Sequence, residues 1–180
     1  MSRGLGDVYK RQGLYLMFKF LKNKSNNDKS GHLLAPQNGL LTDITTLPDP
    51  VFAEKMLGDG FAVKPFDGEI CAPASGTVIE IHDSLHAYGI ETDNGLQILV
   101  HIGINTVELH GEGFTARVKK GDKIKAGDAL AYVNLDLISS KGYPTYTIVL
   151  ITNTDAVKSM SVISPQGVKG GETVVLSYNL

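Results

Sequence analysis

The 180-residue sequence holds a single cysteine, Cys71. One thiol can close no internal disulfide and can build neither a Cys-based zinc cluster nor a dithiol redox pair, which fits a reducing compartment. An excess of charge is also missing: 17 Lys and Arg stand against 19 Asp and Glu, a formal net charge of −2. That balance argues against nucleic acid as the main partner, because phosphate binding draws on concentrated Lys and Arg. No stretch approaches the roughly eighteen apolar residues of a membrane span. The run Gly13 to Phe18 is too short, and too soon broken by Lys19, for a signal-peptide core. These absences predict a cytoplasmic protein whose partners are small molecules or other proteins.

What is present is turn chemistry. Twenty glycines, many beside Asp, Asn or Pro, supply the corners of a fold made from short strands. Apolar, β-rich runs recur at Leu33-Leu34, Phe61 to Val63, Thr77 to Ile81, Gly89 to Thr92, Leu96 to Ile104, Ala129 to Val133, Thr147 to Thr152 and Thr173 to Tyr178. Their brevity and frequency predict an all-β sandwich or barrel. Helix is expected only at Pro50 to Met56 and Thr154 to Met160. The pattern Ala-Pro-x-x-Gly-x-aliphatic occurs twice, at Ala35 to Leu41 and at Ala72 to Val78, and predicts two similar hairpin units related by a pseudo-twofold axis. A paired Gly-Asp turn, Gly121-Asp122 and Gly127-Asp128, is of the sort found in biotinyl and lipoyl carrier domains.

The expected domain runs from residue 31 to 180, long enough to bury roughly 70% of its unfolded surface in one core. Residues 1–30 read as a disordered N-terminal tail, with Asn23 to Gly31 a solvated linker. Residues 1–16 carry no usable period and read as sequence foreign to the fold, with Met17 an alternative start. Met17, Phe18, Phe20 and Leu21 share one helical arc opposite Lys19 and Lys22, the pattern of a weak, basic, membrane-resting segment.

Two histidines stand out. His101 is set in the apolar run from Leu96 to Ile104, and His86 lies across the Asn94-Gly95 dipeptide, a strong hairpin signal. A two-residue turn there places Tyr88 opposite His101 and His86 opposite Gly103, with both rings on one face and roughly 7–8 Å apart at the backbone. A three-residue loop shifts the register by one and sends the rings to opposite faces. Gly103 has no side chain to fill the space before the rings, so a partner's backbone or a phosphoryl group can enter there. A neutral imidazole with one nitrogen's proton held by an acceptor is a nucleophile near pH 7. Two imidazoles also begin a zinc site, but no further ligand has the usual spacing, and a partner must supply it. Ser84, two residues before His86, offers a hydroxyl to that ring. His32, His82 and His110 have no turn-defined partner and read as ordinary. Gly58-Asp59-Gly60 and Gly111 to Ala116 brush against a dinucleotide fingerprint but open no helix, and read as turns.

With these residues placed, the chain resembles the glucose-family enzyme IIA of the bacterial sugar phosphotransferase system over roughly 31–180. The matching stretches are Val51-Phe52-Ala53-Glu54-Lys55, Gly58-Asp59-Gly60, Ala72-Pro73 with Gly76-Thr77, His86-Ala87, Val100 to Ile104 with Thr106 to Leu109, and Gly111 to Phe114. The resemblance implies a flattened β-sandwich, a barrel-sandwich hybrid built from a duplicated hairpin motif. It implies phosphate carried on Nε2 of His101, His86 stabilising the phosphoryl group, Ser84 bonding His86, and the Gly103 carbonyl orienting His101. Phosphate would arrive from the phosphocarrier HPr and leave to a cysteine of the sugar-specific enzyme IIB or IIBC permease, with no cofactor needed for transfer. Val51, Phe52, Met56 and Leu57 would form the apolar docking patch, with Asp49 available to an incoming arginine. Asn105 stands where the family often has Asp, which predicts weaker electrostatic steering. Some members hold zinc between the two histidines and a partner's carboxylate in regulatory complexes.

Three other readings compete. A regulatory interaction protein would keep the patch and signal by occupancy. A lysostaphin-type zinc peptidase shares a similar β architecture but needs a His-x-His pair, where this chain has His101-Ile102-Gly103. A biotinyl or lipoyl carrier needs a lysine at a hairpin tip, for which Lys125-Ala126-Gly127 is a poor substitute.

Overall fold

The computed structural model describes residues 29–180. The expected membrane-resting segment and the stretch 1–16 lie outside the described residues. The chain forms β1 (Ser30–Leu34), β2 (Gly39–Thr42), α1 (Pro50–Ala53), β3 (Asp59–Pro65), β4 (Glu69–Cys71), β5 (Gly76–Ile81), β6 (Ala87–Glu91) and β7 (Gln97–Ile102). There follow β8 (Phe114–Ala116), β9 (Lys123–Ile124), β10 (Ala129–Val133), α2 (Leu135–Ser140), β11 (Thr147–Ile151), β12 (Ser159–Val162), β13 (Gly167–Val168) and β14 (Val174–Asn179). β1 starts at Ser30, so Ser30 and Gly31 pair with Asn179 and Tyr178 rather than belonging to the linker.

An antiparallel eight-stranded sheet, ordered β13-β2-β3-β11-β7-β6-β5-β9, forms the body of the molecule; β1-β14-β12 and β4-β10-β8 form two smaller sheets. The large sheet is open, ending in two-residue strands, and the architecture is an all-β sandwich with short helical turns rather than a closed barrel. No helix among the described residues is long and apolar enough to cross a membrane.

The central strands β7 and β11 are buried along their whole length, which is why they read as unbroken apolar runs and not as alternating ones. Alternation still sorts their side chains. Ile98, Val100, Ile102, Val149 and Ile151 enter the main core with Tyr88, Ile90, Phe61 and Val63. Leu99, Ile148 and Leu150, with Ala62 and Ala87, face the other way and meet Ile44, Leu47, Phe52 and Ile104. That second, smaller core is the face on which the candidate site stands.

The duplication is visible in reciprocal hydrogen bonds. Leu34 N–H donates to Pro73 O at 2.8 Å, and Cys71 N–H to Pro36 O at 2.6 Å. Ala35 O accepts from Gly171 and Ala72 O from Gly127, both at 2.8 Å. Gly127 and Gly171 face each other across the pseudo-axis: a Cβ on Gly127 would lie 3.1 Å from Gly171 O. In the paired turns, Asp122 and Asp128 each accept through Oδ2 from the backbone N–H three residues earlier, at 2.8 Å in both cases.

Helix content departs from expectation. Only Pro50–Ala53 of the first predicted segment is helical. In the second, Thr154–Ala156 is a 3-10 turn, and Met160 belongs to β12, drawn into pairing with Tyr178. The helix Leu135–Ser140 was not anticipated, although Asn134 caps it by accepting from Leu137 N–H at 3.1 Å.

Candidate functional site

The β6–β7 hairpin carries the two histidines. Its loop has three residues, not two: Thr92 N–H donates to Leu96 O at 2.9 Å, and Gly95 N–H to Thr92 O at 3.0 Å. Only Gly95 in the loop has positive φ, 89°. This is the type I turn with a left-handed glycine, which needs one such residue where a two-residue I′ turn needs two. Side chains favour it. Thr92 Oγ1 accepts from Leu96 N–H at 2.9 Å, and Asn94 Nδ2 donates to the Tyr178 hydroxyl at 3.1 Å. The register is therefore one residue away from the expected one: Ala87 lies opposite His101, and Tyr88 opposite Val100.

The rings meet all the same. His86 and His101 centroids are 5.0 Å apart, with planes at 84°. The reason is local. β6 begins at Ala87, and His86 precedes it directly after Leu85, whose φ is 58°. Strand alternation does not govern a side chain at that position, so His86 turns onto the face of Ala87 and His101. Its carbonyl still accepts from Ile102 N–H at 2.7 Å.

His101 stands between Ala87 and Ile148 on neighbouring strands, 2% exposed. Its Nδ1 lies 2.8 Å from Gly103 O. A carbonyl only accepts, so Nδ1 carries the proton and Nε2 the lone pair. Burial pushes the His101 pKa down to about 4, against the raising effect of the Gly103 hydrogen bond, with His82 lowering it further. His86 is pushed down to about 2 by burial, then by His101 and His82. Both rings are neutral at pH 7.

Gly103 acts through its backbone rather than through empty space. Its φ is 76°, and a Cβ there would lie 2.3 Å from Thr106 Cγ2 and 3.3 Å from Pro144 O. The expected opening before the rings is thus filled from within the chain. Gly103 N–H donates to Tyr146 O at 2.7 Å, which fixes the carbonyl that holds His101. Asn105 is exposed with φ 61°, a left-handed conformation in which Asn is enriched among non-glycine residues.

The expected docking residues divide. Val51 and Phe52 are buried, at 2% and 3% exposure, and the Phe52 ring lies 4.9 Å from that of His101 at 59°. Phe52 is held there by α1, which Asp49 caps: its Oδ1 accepts from Val51 N–H at 2.9 Å, with Pro50 in the first turn. Asp49 is itself 8% exposed, so this carboxylate is engaged in capping rather than extended into solvent. Met56 is exposed and Leu57 half-buried.

Ser84 is buried, and its backbone N–H donates to His82 Nδ1 at 3.0 Å. The residue that sequence reasoning passed over is His82, whose ring lies 4.6 Å from that of His86 at 65°. The spacing His82-x-x-x-His86 around the turn-forming Asp83-Ser84 was the available signal. Among the described residues no group of three or more His, Cys, Asp or Glu is arranged to hold a metal ion. A tetrahedral ion between His86 and His101 would need ligands beyond these two imidazoles.

Comparison with known proteins adds an independent line. The family described as phosphoenolpyruvate-dependent sugar phosphotransferase system, EIIA 1, matches residues 31–157. A glucose-specific EIIA component of this system from Halalkalibacterium halodurans is 42% identical over 167 residues, covering 93% of this chain and 96% of that protein. Its Staphylococcus aureus counterpart is 40% identical over 165 residues, covering 91% and 99%. The solved structure of glucose permease IIA from Mycoplasma capricolum matches with a TM-score of 0.77 at 34% identity, covering 85% of this chain and 99% of that one.

Proposed function

Because this chain belongs to the EIIA 1 family of the phosphoenolpyruvate-dependent sugar phosphotransferase system, we propose that it works as a phosphocarrier in which His101 bears the phosphoryl group. The observation that carries the assignment to His101 is the 2.8 Å contact between its Nδ1 and Gly103 O. It leaves Nε2 as the nucleophile, on a ring that burial keeps neutral.

In the first transfer, the Nε2 lone pair attacks phosphorus on a phosphohistidine of the carrier HPr. The new N–P bond forms as the old one breaks, and the carrier's nitrogen keeps the electron pair. In the second, a cysteine thiolate of a IIB permease domain attacks the same phosphorus, and the His101 N–P bond breaks. The relatives' names point to glucose as the sugar served by that permease. Neither step calls for a metal. What the chain supplies is position: a phosphoryl group adds about 1.5 to 2 negative charges, and His86, whose ring lies 5.0 Å from that of His101, is the residue to donate an N–H to its oxygens.

Incubation with enzyme I, HPr and labelled phosphoenolpyruvate tests the reading. One acid-labile label per chain is expected, lost in His101→Ala. In His86→Gln the label still arrives, while onward transfer to IIB slows by about a hundredfold. Label that persists in His101→Ala would overturn the assignment. Parent-like onward transfer in His86→Gln would overturn the role given to His86.

A further inference from the structure

The turn between β5 and β6 brings a third imidazole against the pair already described. His82 N–H donates to Ala87 O at 2.9 Å, and Leu85 N–H to His82 O at 2.8 Å, so the chain doubles back and two side chains four residues apart become neighbours. The His82 and His86 rings make an edge-to-face contact at 4.6 Å, and His86 makes another with His101 at 5.0 Å. His86 thus touches both other rings, the half-buried His82 and the buried His101.

His82 is itself restrained. The Ser84 N–H on its Nδ1, at 3.0 Å, fixes the plane of the ring and leaves the neutral ring's proton on Nε2. His86 needs such a neighbour more than most side chains do. It stands outside the β6 pairing, after a left-handed Leu85, where strand geometry does not set its orientation. Ring packing bears on it there, and the rings in contact with it are those of His101 and His82.

Resting on the phosphocarrier reading above, we propose that His82 is a positioning residue for onward transfer: oriented by Ser84, its ring holds the His86 imidazole across that of His101. The effect belongs to donation rather than to acceptance. Acceptance needs the His101 lone pair, which Gly103 secures; donation needs His86 aligned with the departing phosphoryl oxygens. Ser84 thereby acts through its backbone on His82, one ring removed from the place the resemblance gave its hydroxyl.

The test compares His82→Ala, which removes the ring, with His82→Phe, which keeps an aromatic ring against His86 and removes the nitrogens. His82 is only half-buried, so both variants are expected to fold. Uptake of label from HPr should match the parent in both. Onward transfer to IIB should fall by about tenfold in His82→Ala and recover to within about threefold of the parent in His82→Phe. Long-range proton–nitrogen NMR of the imidazoles provides a readout that does not depend on phosphate. The His86 ring should show one tautomer in the parent and in His82→Phe, and averaged ring-nitrogen shifts in His82→Ala. Parent-like donation in His82→Ala, equal loss in both variants, or unchanged His86 shifts would each overturn the proposal. Absence of label in the parent chain would instead overturn the phosphocarrier reading, and the NMR comparison would still decide whether His82 positions His86.

Discussion

The two site histidines tie the stability of the fold to pH, and the sign follows from where each ring prefers its proton. An unfolded chain's imidazole takes up a proton near pH 6.5, whereas burial delays uptake by folded His101 to about pH 4. Between those values the unfolded state binds more protons, so stability is fully present above about pH 6.5 and falls as pH drops towards 4. The shift corresponds to about 3 kcal/mol from His101, and His86 acts in the same direction. Urea midpoints measured from pH 8 down to 4 should decline, and His101→Gln, neutral throughout, should flatten part of that decline. Equal slopes for parent and variant would show that His101 is not held neutral by the fold. At this scale much of the site was legible in the sequence. A histidine in an apolar run, a second beyond a turn and a glycine two residues later are each local signals. The His82 contact was not, because it depends on a turn closing through backbone hydrogen bonds, which side-chain spacing records only faintly.

Elements carry the site through short, capped pieces. α1 has four residues and would not persist alone; it depends on the Asp49 cap, Pro50 and the burial of Phe52 against the sheet. Replacing Asp49 with Ala should cost about 1 kcal/mol, and Asp49→Asn, which keeps the acceptor, should retain most of that stability. Thermal denaturation of the two variants checks the order, and equal losses would deny the cap its role. The β6–β7 hairpin shows where element-level reading falls short. Asn-Gly marked the turn correctly, yet the register moved by one because Thr92 and Tyr178 engage side chains at the loop and only Gly95 needs to be left-handed. Tyr178 lies far along the chain, on β14, and no local pattern includes it. The small strands β4, β8, β9 and β13 were unreadable for a related reason: two or three residues make no period, and they are strands only because a neighbour pairs with them.

At the scale of the whole molecule, the repeated Ala-Pro-x-x-Gly pattern was the most informative global signal, since it predicted the duplication that the reciprocal hydrogen bonds display. Gly127 and Gly171 sit where the two halves touch, both with positive φ, 88° and 73°. Alanine at either position should destabilise the fold by about 1–2 kcal/mol, from the left-handed backbone and the close approach together. The double variant should cost less than the sum, because one separation of the halves relieves both crowded contacts. Chemical denaturation of the two single variants and the double variant measures this. Strict additivity would mean that the halves do not share strain across the axis.

The carbonyl of Gly103 has a meaning best put in the language of synthesis. It works as a protecting group, written into the backbone, on one of two otherwise competing ring nitrogens. An electrophile that reaches His101 finds a single site open, and the regiochemistry of the product is settled before any partner arrives.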